Sequence, residues 1–401
     1  MIRRIQVSNF RSLGENVTLE LGPLTVLVGQ NASGKSNVAD VLQFVADTLR
    51  MGLERAVMER HGFGTICRSG TDKLSIRVDV ESDKGRGFWE LVLGKDESGE
   101  GYRITRERGE WDENIPDSIL AVLNEPTTDR DTFDAQAVAV ANLANAYRSF
   151  KYENGKWIDL VPVRGPDPKL LSTATFLQLS DWRFARLARE MQDLAIYRIF
   201  PNRLREAQRP DLPEVMRTHG ENWASVLRHM DKAKAGPDFL AALGHIVGDI
   251  DDYRVNAVGG YLIPELRHVD AKGNQVWRGA VQESDGTLRI AGILTALLQA
   301  PPLGLIGIEE PEQTIHPGAL GVLFDYLREA ATRSQILLTT HSSDFLDRLD
   351  IDEVRVVERR DGATTVSLVD ETQRSLVKKR LATVGELVFS EGLRGRENAH
   401  G

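Results

Sequence analysis

Cysteine is almost absent: Cys67 is the single one in 401 residues. That excludes an internal disulfide framework and a cysteine-based zinc site, and it suits a reducing, cytoplasmic location. The eight histidines are scattered, and none pairs with another at metal-ligand spacing. Apolar runs are too short to cross a membrane. The nearest, 288–308, is broken by Arg289, Gln299 and the Pro301-Pro302 pair. The opening M-I-R-R-I-Q-V-S-N-F lacks the apolar core of a signal peptide, so export is not expected. Internal repeats, low-complexity tracts and a sustained heptad pattern are missing as well. Neither sign of charge dominates. Fifty Lys+Arg against 59 Asp+Glu leave −9, which argues against coating nucleic acid by bulk charge while leaving a local basic face open. What is present is an ordinary globular composition, 41% apolar, and enough length for two or three lobes.

The first 30 residues read as strands: Ile2 to Val7, Val17 to Leu21, and the fully apolar Leu24 to Val28. Val38, Val41, Leu42, Val45, Ala46 and Leu49 then recur at spacings of three and four, the stripe of an amphipathic helix. Residues 74–81, 87–94 and 101–107 alternate like antiparallel strands. Asn154-Gly155 supplies the positive φ angles for a further hairpin between 149–153 and 156–160. Between them, an acidic, proline-containing stretch (about 109–133) and an Ala-rich helix candidate (134–147) read as an insertion. Residues 166–250 look mainly helical apart from a strand at Ala195 to Ile199. After about 255 the alternation of a parallel α/β core returns: strand 303–308, helix 318–331, strand 335–339, helix 343–349 and strand 353–358. The expected division is 1–60 and 281–401 for a nucleotide lobe, 61–165 for an antiparallel β-subdomain with insertion 109–147, and 166–280 for a mainly helical lobe.

The strongest chemical signal is G-Q-N-A-S-G-K-S, Gly29 to Ser36, which fits G-x-x-x-x-G-K-[ST] between an apolar strand and an amphipathic helix. Gly29 and Gly34 let backbone N–H groups face phosphates, Lys35 would reach the β- and γ-phosphates, and the Ser36 hydroxyl would hold Mg²⁺. The second is L-I-G-I-E-E-P-E, Leu305 to Glu312, an apolar strand ending in two carboxylates. Glu309 would bind the magnesium, directly or through water, and Glu310 would orient and deprotonate the attacking water. Taken alone, the stretch also fits a solvated acidic turn. His341, at the end of the apolar strand 335–339, can hydrogen-bond a γ-phosphate or the attacking water; alone it reads equally as a capping or surface residue. Ser284-Asp285-Gly286 opens an apolar helix and fits an anion site or a plain N-cap.

In that order, these motifs resemble the ABC-type ATPase heads of the RecF, SMC and OLD (overcoming lysogenization defect) group. I-R-R-I-Q-V-S-N-F-R-S-L is similar to its opening strand and G-Q-N-A-S-G-K-S-N to its Walker A loop, with Asn31, Ser33 and Asn37 among the nucleotide-binding residues. Ser284-Asp285-Gly286 takes the signature position, E-E-P-E the Walker B position, Ile315-His316-Pro317 the D-loop region, and Thr339 to Asp344 the H-loop. Glu283 stands where that signature usually has Leu, and Gln178 is the nominal Q-loop residue.

The resemblance implies an α/β P-loop NTPase, an ABC-type head with an antiparallel β-subdomain and a helical lobe, that binds ATP and Mg²⁺ and hydrolyses ATP. It implies a homodimer that sandwiches ATP, with Ser284 and Gly286 of one chain facing the nucleotide on Lys35 of the other. Long coiled coils and a TOPRIM nuclease domain, found in relatives, are not expected. The 60 residues after His341 are too few for that domain, and Asp350-Ile351-Asp352 reads as a solvated turn. A nuclease or effector, TOPRIM-like or HNH-like, is therefore expected as a separate polypeptide, and DNA as a partner; no membrane association is expected. Arg183, Arg186, Arg189, Arg198, Arg203, Arg205 and Arg209 form one basic segment, and Arg374, Lys378, Lys379 and Arg380 another. Either fits a nucleic-acid or partner contact, or a solvated helix face. The leading functional reading is a switch in anti-phage defence and the alternative a RecF-like DNA-repair ATPase. A transporter ATPase subunit and a nucleotide-binding scaffold without turnover fit less well.

Overall fold

The structure, a computed structural model, describes residues 1–97, 99, 101–113, 147–153, 156–161, 185–212, 215–232, 235–390 and 392–396. The chain divides into two compact units. One holds Met1–Glu20, Phe44–Asp193 and Arg360–Thr365, the other Leu21–Gln43, Leu194–Arg359 and Val366–Gly401. Among the described residues no helix is long and apolar enough to cross a membrane.

The first unit is built on a seven-stranded antiparallel sheet. Its order is Val17–Glu20, Ile2–Ser8, Lys73–Ser82, Gly85–Lys95, Tyr102–Glu113, Tyr147–Glu153 and Lys156–Val161. Period-two patterning explains it: Leu74, Ile76, Val78 and Val80 turn to one buried face. Two expectations are corrected. The opening strand, assigned above to the nucleotide lobe, belongs to this sheet and pairs Ile5 with Val78 and Val7 with Ile76, because Ile2, Ile5 and Val7 need its apolar face. The strand expected to end at 107 runs on to Glu113. Trp111 is fully buried and pairs with Gly87, where a Cβ would lie 2.1 Å from the Glu110 carbonyl. Only glycine opposite it leaves that room. The expected Asn154-Gly155 turn lies outside the described residues, though its flanking strands do pair, Glu153 with Lys156. The 134–147 helix candidate (up to residue 146), Gln178 and Arg183 also lie outside them.

A six-stranded sheet is ordered Ala363–Leu368, Val354–Arg360, Leu24–Val28, Gln335–Thr339, Leu305–Glu309 and Leu194–Tyr197, and the last four of these strands lie wholly in the second unit. The strands from Val354–Arg360 to Leu194–Tyr197 are mutually parallel. The central ones are buried throughout and mainly apolar because they are covered on both faces. The helix Asp285–Leu298 is buried from Thr287 to Leu297 and lies in the core with Trp223, Phe239, Phe324 and Phe345. The expected mainly helical lobe, 166–280, is corrected at its C-terminal end. Ile250–Val258, Tyr261–Val269 and Gln275–Gly279 form a three-stranded antiparallel sheet. One face buries Leu262, Leu266 and His268. The other is charged, with Arg254 on Glu265 at 2.6 Å and Arg267 on Asp251 at 2.8 Å. Those cross-strand ion pairs dilute the apolar signal by which strands are recognised.

Candidate functional site

The buried strand Leu24–Val28 runs directly into the glycine turn. A Cβ on Gly29 would lie 2.0 Å from the Val357 carbonyl and 2.9 Å from Ser33 Oγ, so only glycine fits. Gly34 has φ +106° and Ala32 φ +63°, the left-handed backbone that turns successive N–H groups inward. Asn31 is exposed on the loop, while Ser33 and Lys35 are buried. Asn37 and Val38 donate their backbone N–H groups to the Gly34 carbonyl as the helix Lys35–Met51 begins. Lys35 Nζ folds back to donate to the carbonyls of Gly29 (2.8 Å) and Gln30 (3.0 Å). Burial lowers its pKa, against the pull of Glu310, Glu312 and Glu309. A buried ammonium satisfied by two loop carbonyls is well placed to exchange them for phosphate oxygens.

Parallel register brings the remaining groups to the same level. Glu309 pairs with Thr339, Thr339 with Leu27, and Ile308 with Tyr197. Four adjacent strands thus end together, and ligands of open α/β sheets collect at such C-terminal edges. Ser36 Oγ donates to Glu309 Oε2 at 2.7 Å. Glu310 takes a left-handed backbone, φ +46°, held by donation of its N–H to Thr339 O (2.9 Å). The chain therefore turns between the two carboxylates and sends them in different directions. Glu310 Oε1 lies 4.0 Å from His341 Nε2, and Gln313 donates its amide to the other oxygen. His341 is oriented through its backbone N–H, which donates to Glu312 Oε1 at 2.8 Å, and its buried Nε2 has no hydrogen-bond partner. Burial and the Lys35 charge lower its pKa, which favours a neutral imidazole.

The oxygens of Ser36 and Glu309 suit a divalent cation, which takes hard oxygen ligands and completes its shell from phosphate and water. A cationic group already sits on them: an Arg198 NH donates to Glu309 Oε2 (2.6 Å) and Ser36 Oγ (3.0 Å). Among the described residues no group of three or more His, Cys, Asp or Glu side chains could hold a metal by itself.

Ser284 and Gly286 are grouped differently. Ser284 Oγ caps the helix Asp285–Leu298 by accepting the Thr287 N–H at 3.1 Å. A Cβ on Gly286 would lie 2.7 Å from the Thr314 carbonyl, so the helix start packs against the loop that follows Glu310. Arg289, 3% exposed, braces that junction: it donates to the carbonyls of Ile199 (2.8 Å), Glu310 (2.8 Å) and Glu309 (3.2 Å). Arg205 donates to the Glu283 carbonyl at 3.0 Å and pairs with Asp285.

Sequence reading missed Arg198, Arg205, Arg289 and Glu312. The first two were counted in a basic run; the usable signal for Arg198 was its place at the end of an anticipated strand. Arg203 pairs locally with Glu206. The second basic cluster is partly neutralised, with Arg374 and Lys378 both on Asp352. In place of the expected turn at 350–352, Asp350 caps a short 3₁₀ segment, Ile351–Glu353, in which Ile351 is buried.

Glu283 has a local explanation. It is buried and shares His268 with Asp249: the ring nitrogens lie 2.8 Å from Glu283 Oε1 and 2.9 Å from Asp249 Oδ2. Burial alone would lower the His268 pKa, but hydrogen bonds and charge from the two carboxylates outweigh it and raise the value. A raised folded pKa stabilises fully below the unfolded value, about 6.5, and the gain is lost as pH rises through the folded value. We expect His268→Ala to lower the unfolding free energy by about 2–3 kcal/mol at pH 6, since it strands a buried carboxylate, and by less at pH 8.5. Urea titrations at the two pH values check this; equal losses would mean that folding leaves the His268 pKa unshifted. Replacing His268 and Glu283 together by apolar residues should cost far less.

Comparison with known proteins gives the same reading. The family described as "AAA domain, putative AbiEii toxin, Type IV TA system" matches residues 24–347. An OLD nuclease of Thermus scotoductus is 25% identical over 405 residues, covering 94% of this chain. The chain spans only 65% of that relative's length. Among solved structures, an Smc head bound to the C-winged helix domain of ScpA aligns with a TM-score of 0.53 and 12% identity, over 91% of this chain and 96% of that one. At that identity the likeness speaks for the fold. With its phosphate loop, paired carboxylates and parallel core, the chain belongs to this AAA family, and its fold is like that of an Smc head.

Proposed function

We propose that the protein binds ATP with Mg²⁺, hydrolyses it, and works as an ATP-dependent homodimeric switch that acts on DNA or controls a nuclease in anti-phage defence. The observation that carries the ATPase reading is the convergence of Lys35, Ser36, Glu309, Glu310 and His341 on one edge of the sheet. Lys35 leaves its loop carbonyls for the β- and γ-phosphates, and Gly29, Asn31, Ser33, Gly34 and Asn37 line the phosphate turn. Ser36 and Glu309 would hold the magnesium, which neutralises phosphate charge when bound. Glu310 accepts the proton of the attacking water as its oxygen bonds to the γ-phosphorus and the bond to ADP breaks, leaving ADP and phosphate. Neutral His341, oriented through Glu312, hydrogen-bonds that water or the γ-phosphate.

The dimer is supported by the site's own division. Ser284 and Gly286 sit at a helix start, where N–H groups favour an anion, yet in their own chain they face capping and packing partners. The link to a nuclease draws on the relative's name, OLD nuclease, and the defence reading on the family description, which refers to a putative toxin of a Type IV TA system. Complementation tests the composite site. Mixing Lys35→Ala chains with Ser284→Arg chains should restore about a quarter of the wild-type ATPase rate, since a two-fold assembly gives half the dimers one intact site. No recovery by phosphate-release assay would rule out sharing of sites.

A further inference from the structure

Arg198 follows the strand Leu194–Tyr197. Because Tyr197 is in register with Ile308, Arg198 is level with Glu309. Its backbone is pinned, the N–H donating to the Thr218 carbonyl (2.9 Å) and the carbonyl held by His219 Nδ1 (2.8 Å). The side chain has more freedom, being 45% exposed where Glu309 is 13% exposed. Its guanidinium reaches the two oxygens, Ser36 Oγ and Glu309 Oε2, that are suited to a divalent cation. A divalent ion bound to these oxygens at roughly 2 Å would lie close beside a guanidinium at hydrogen-bond distance from the same two atoms. Their charges repel.

We infer that Arg198 is a resident counter-cation: it neutralises Glu309 in the resting site and competes with the divalent ion for Ser36 and Glu309. Metal loading then requires the guanidinium to swing outward, which its exposure permits while the backbone stays fixed. Arg198 thereby sets the metal concentration at which nucleotide is taken up, and it keeps Glu309 from standing as an unpaired, mostly buried carboxylate when the site is empty. Lys35 behaves in parallel, resting on the carbonyls of its own loop. The inference rests on the proposal that Ser36 and Glu309 hold the metal.

The test is a titration of the full chain with Mg²⁺, and separately Mn²⁺, at fixed ATP, followed by thermal stabilisation and by the Mn²⁺ resonance signal. Arg198→Ala and Arg198→Gln should both lower the metal midpoint by about fivefold, the discounted worth of a half-exposed charge pair. Arg198→Lys, which keeps the charge, should stay within about twofold of wild type. An unchanged or raised midpoint in both neutral variants overturns the inference, as does a wild-type midpoint in Arg198→Gln alone, because charge would then not be the competitor. If wild-type protein takes up ATP with no dependence on metal, the metal assignment fails and the inference with it. A metal-dependent wild type with unmoved neutral variants defeats only the role of Arg198.

Discussion

Lys35→Ala is expected to weaken ATP binding by at least about 100-fold, measured by calorimetry in magnesium. Each charge-assisted hydrogen bond to phosphate contributes about 1.5–3 kcal/mol, and two such bonds convert to two or more decades of affinity. The ligand-free fold should hardly suffer. Lys35 is buried and its pKa is lowered by that burial, so removing the ammonium also removes a desolvation cost. Gly29 and Gln30 lose a donor for their carbonyls, and water admitted by the shorter side chain can replace it. A melting temperature within a few degrees of wild type, with binding gone, separates a ligand contact from a structural one. Wild-type heat of binding in this variant would place the nucleotide elsewhere.

Glu310→Gln is expected to leave ATP binding intact while lowering turnover by about 10²–10³-fold, the range lost when a positioned general base is removed. Glutamine keeps the size and the tolerance for the bend at φ +46° no better and no worse than glutamate, so the change isolates the proton acceptor. If hydrolysis opens an ATP-bound dimer, the variant should elute as a dimer with ATP and as a monomer without it. Turnover at the wild-type rate would move the base to another group. Glu312, with one buried oxygen lacking a partner, would be the next to replace.

The contrast between Glu309 and Glu310 shows what sequence can and cannot supply. Two adjacent carboxylates at the end of an apolar strand were recognisable as a site. That one lies on Ser36 and the other near His341 depends on a single left-handed residue, and Glu310 is neither glycine nor asparagine. Nothing local advertises that bend; the carbonyl and hydroxyl of Thr339 impose it. The arginines follow the same logic. In the chain Arg198 sits in a charge run, the commonest look of a solvated face, and Arg289 interrupts an apolar stretch. In the fold Arg198 reaches a residue 162 positions away and Arg289 one 90 positions away.

Glu283 makes the point from the other side. Its departure from the usual leucine becomes intelligible once His268 arrives from the neighbouring sheet. The sheet itself was hidden by the ion pairs on its outer face.

Sequence alone determined the phosphate loop, the carboxylate strand, the histidine strand end and the parallel core, because each is written in a few consecutive residues whose backbone chemistry is local. Tertiary structure alone decided which strand ends lie side by side, which charges neutralise one another, and that an arginine rests on Ser36 and Glu309. Those outcomes depend on register between segments far apart in the chain, and pairing energies of that kind exist only after the sheet has assembled.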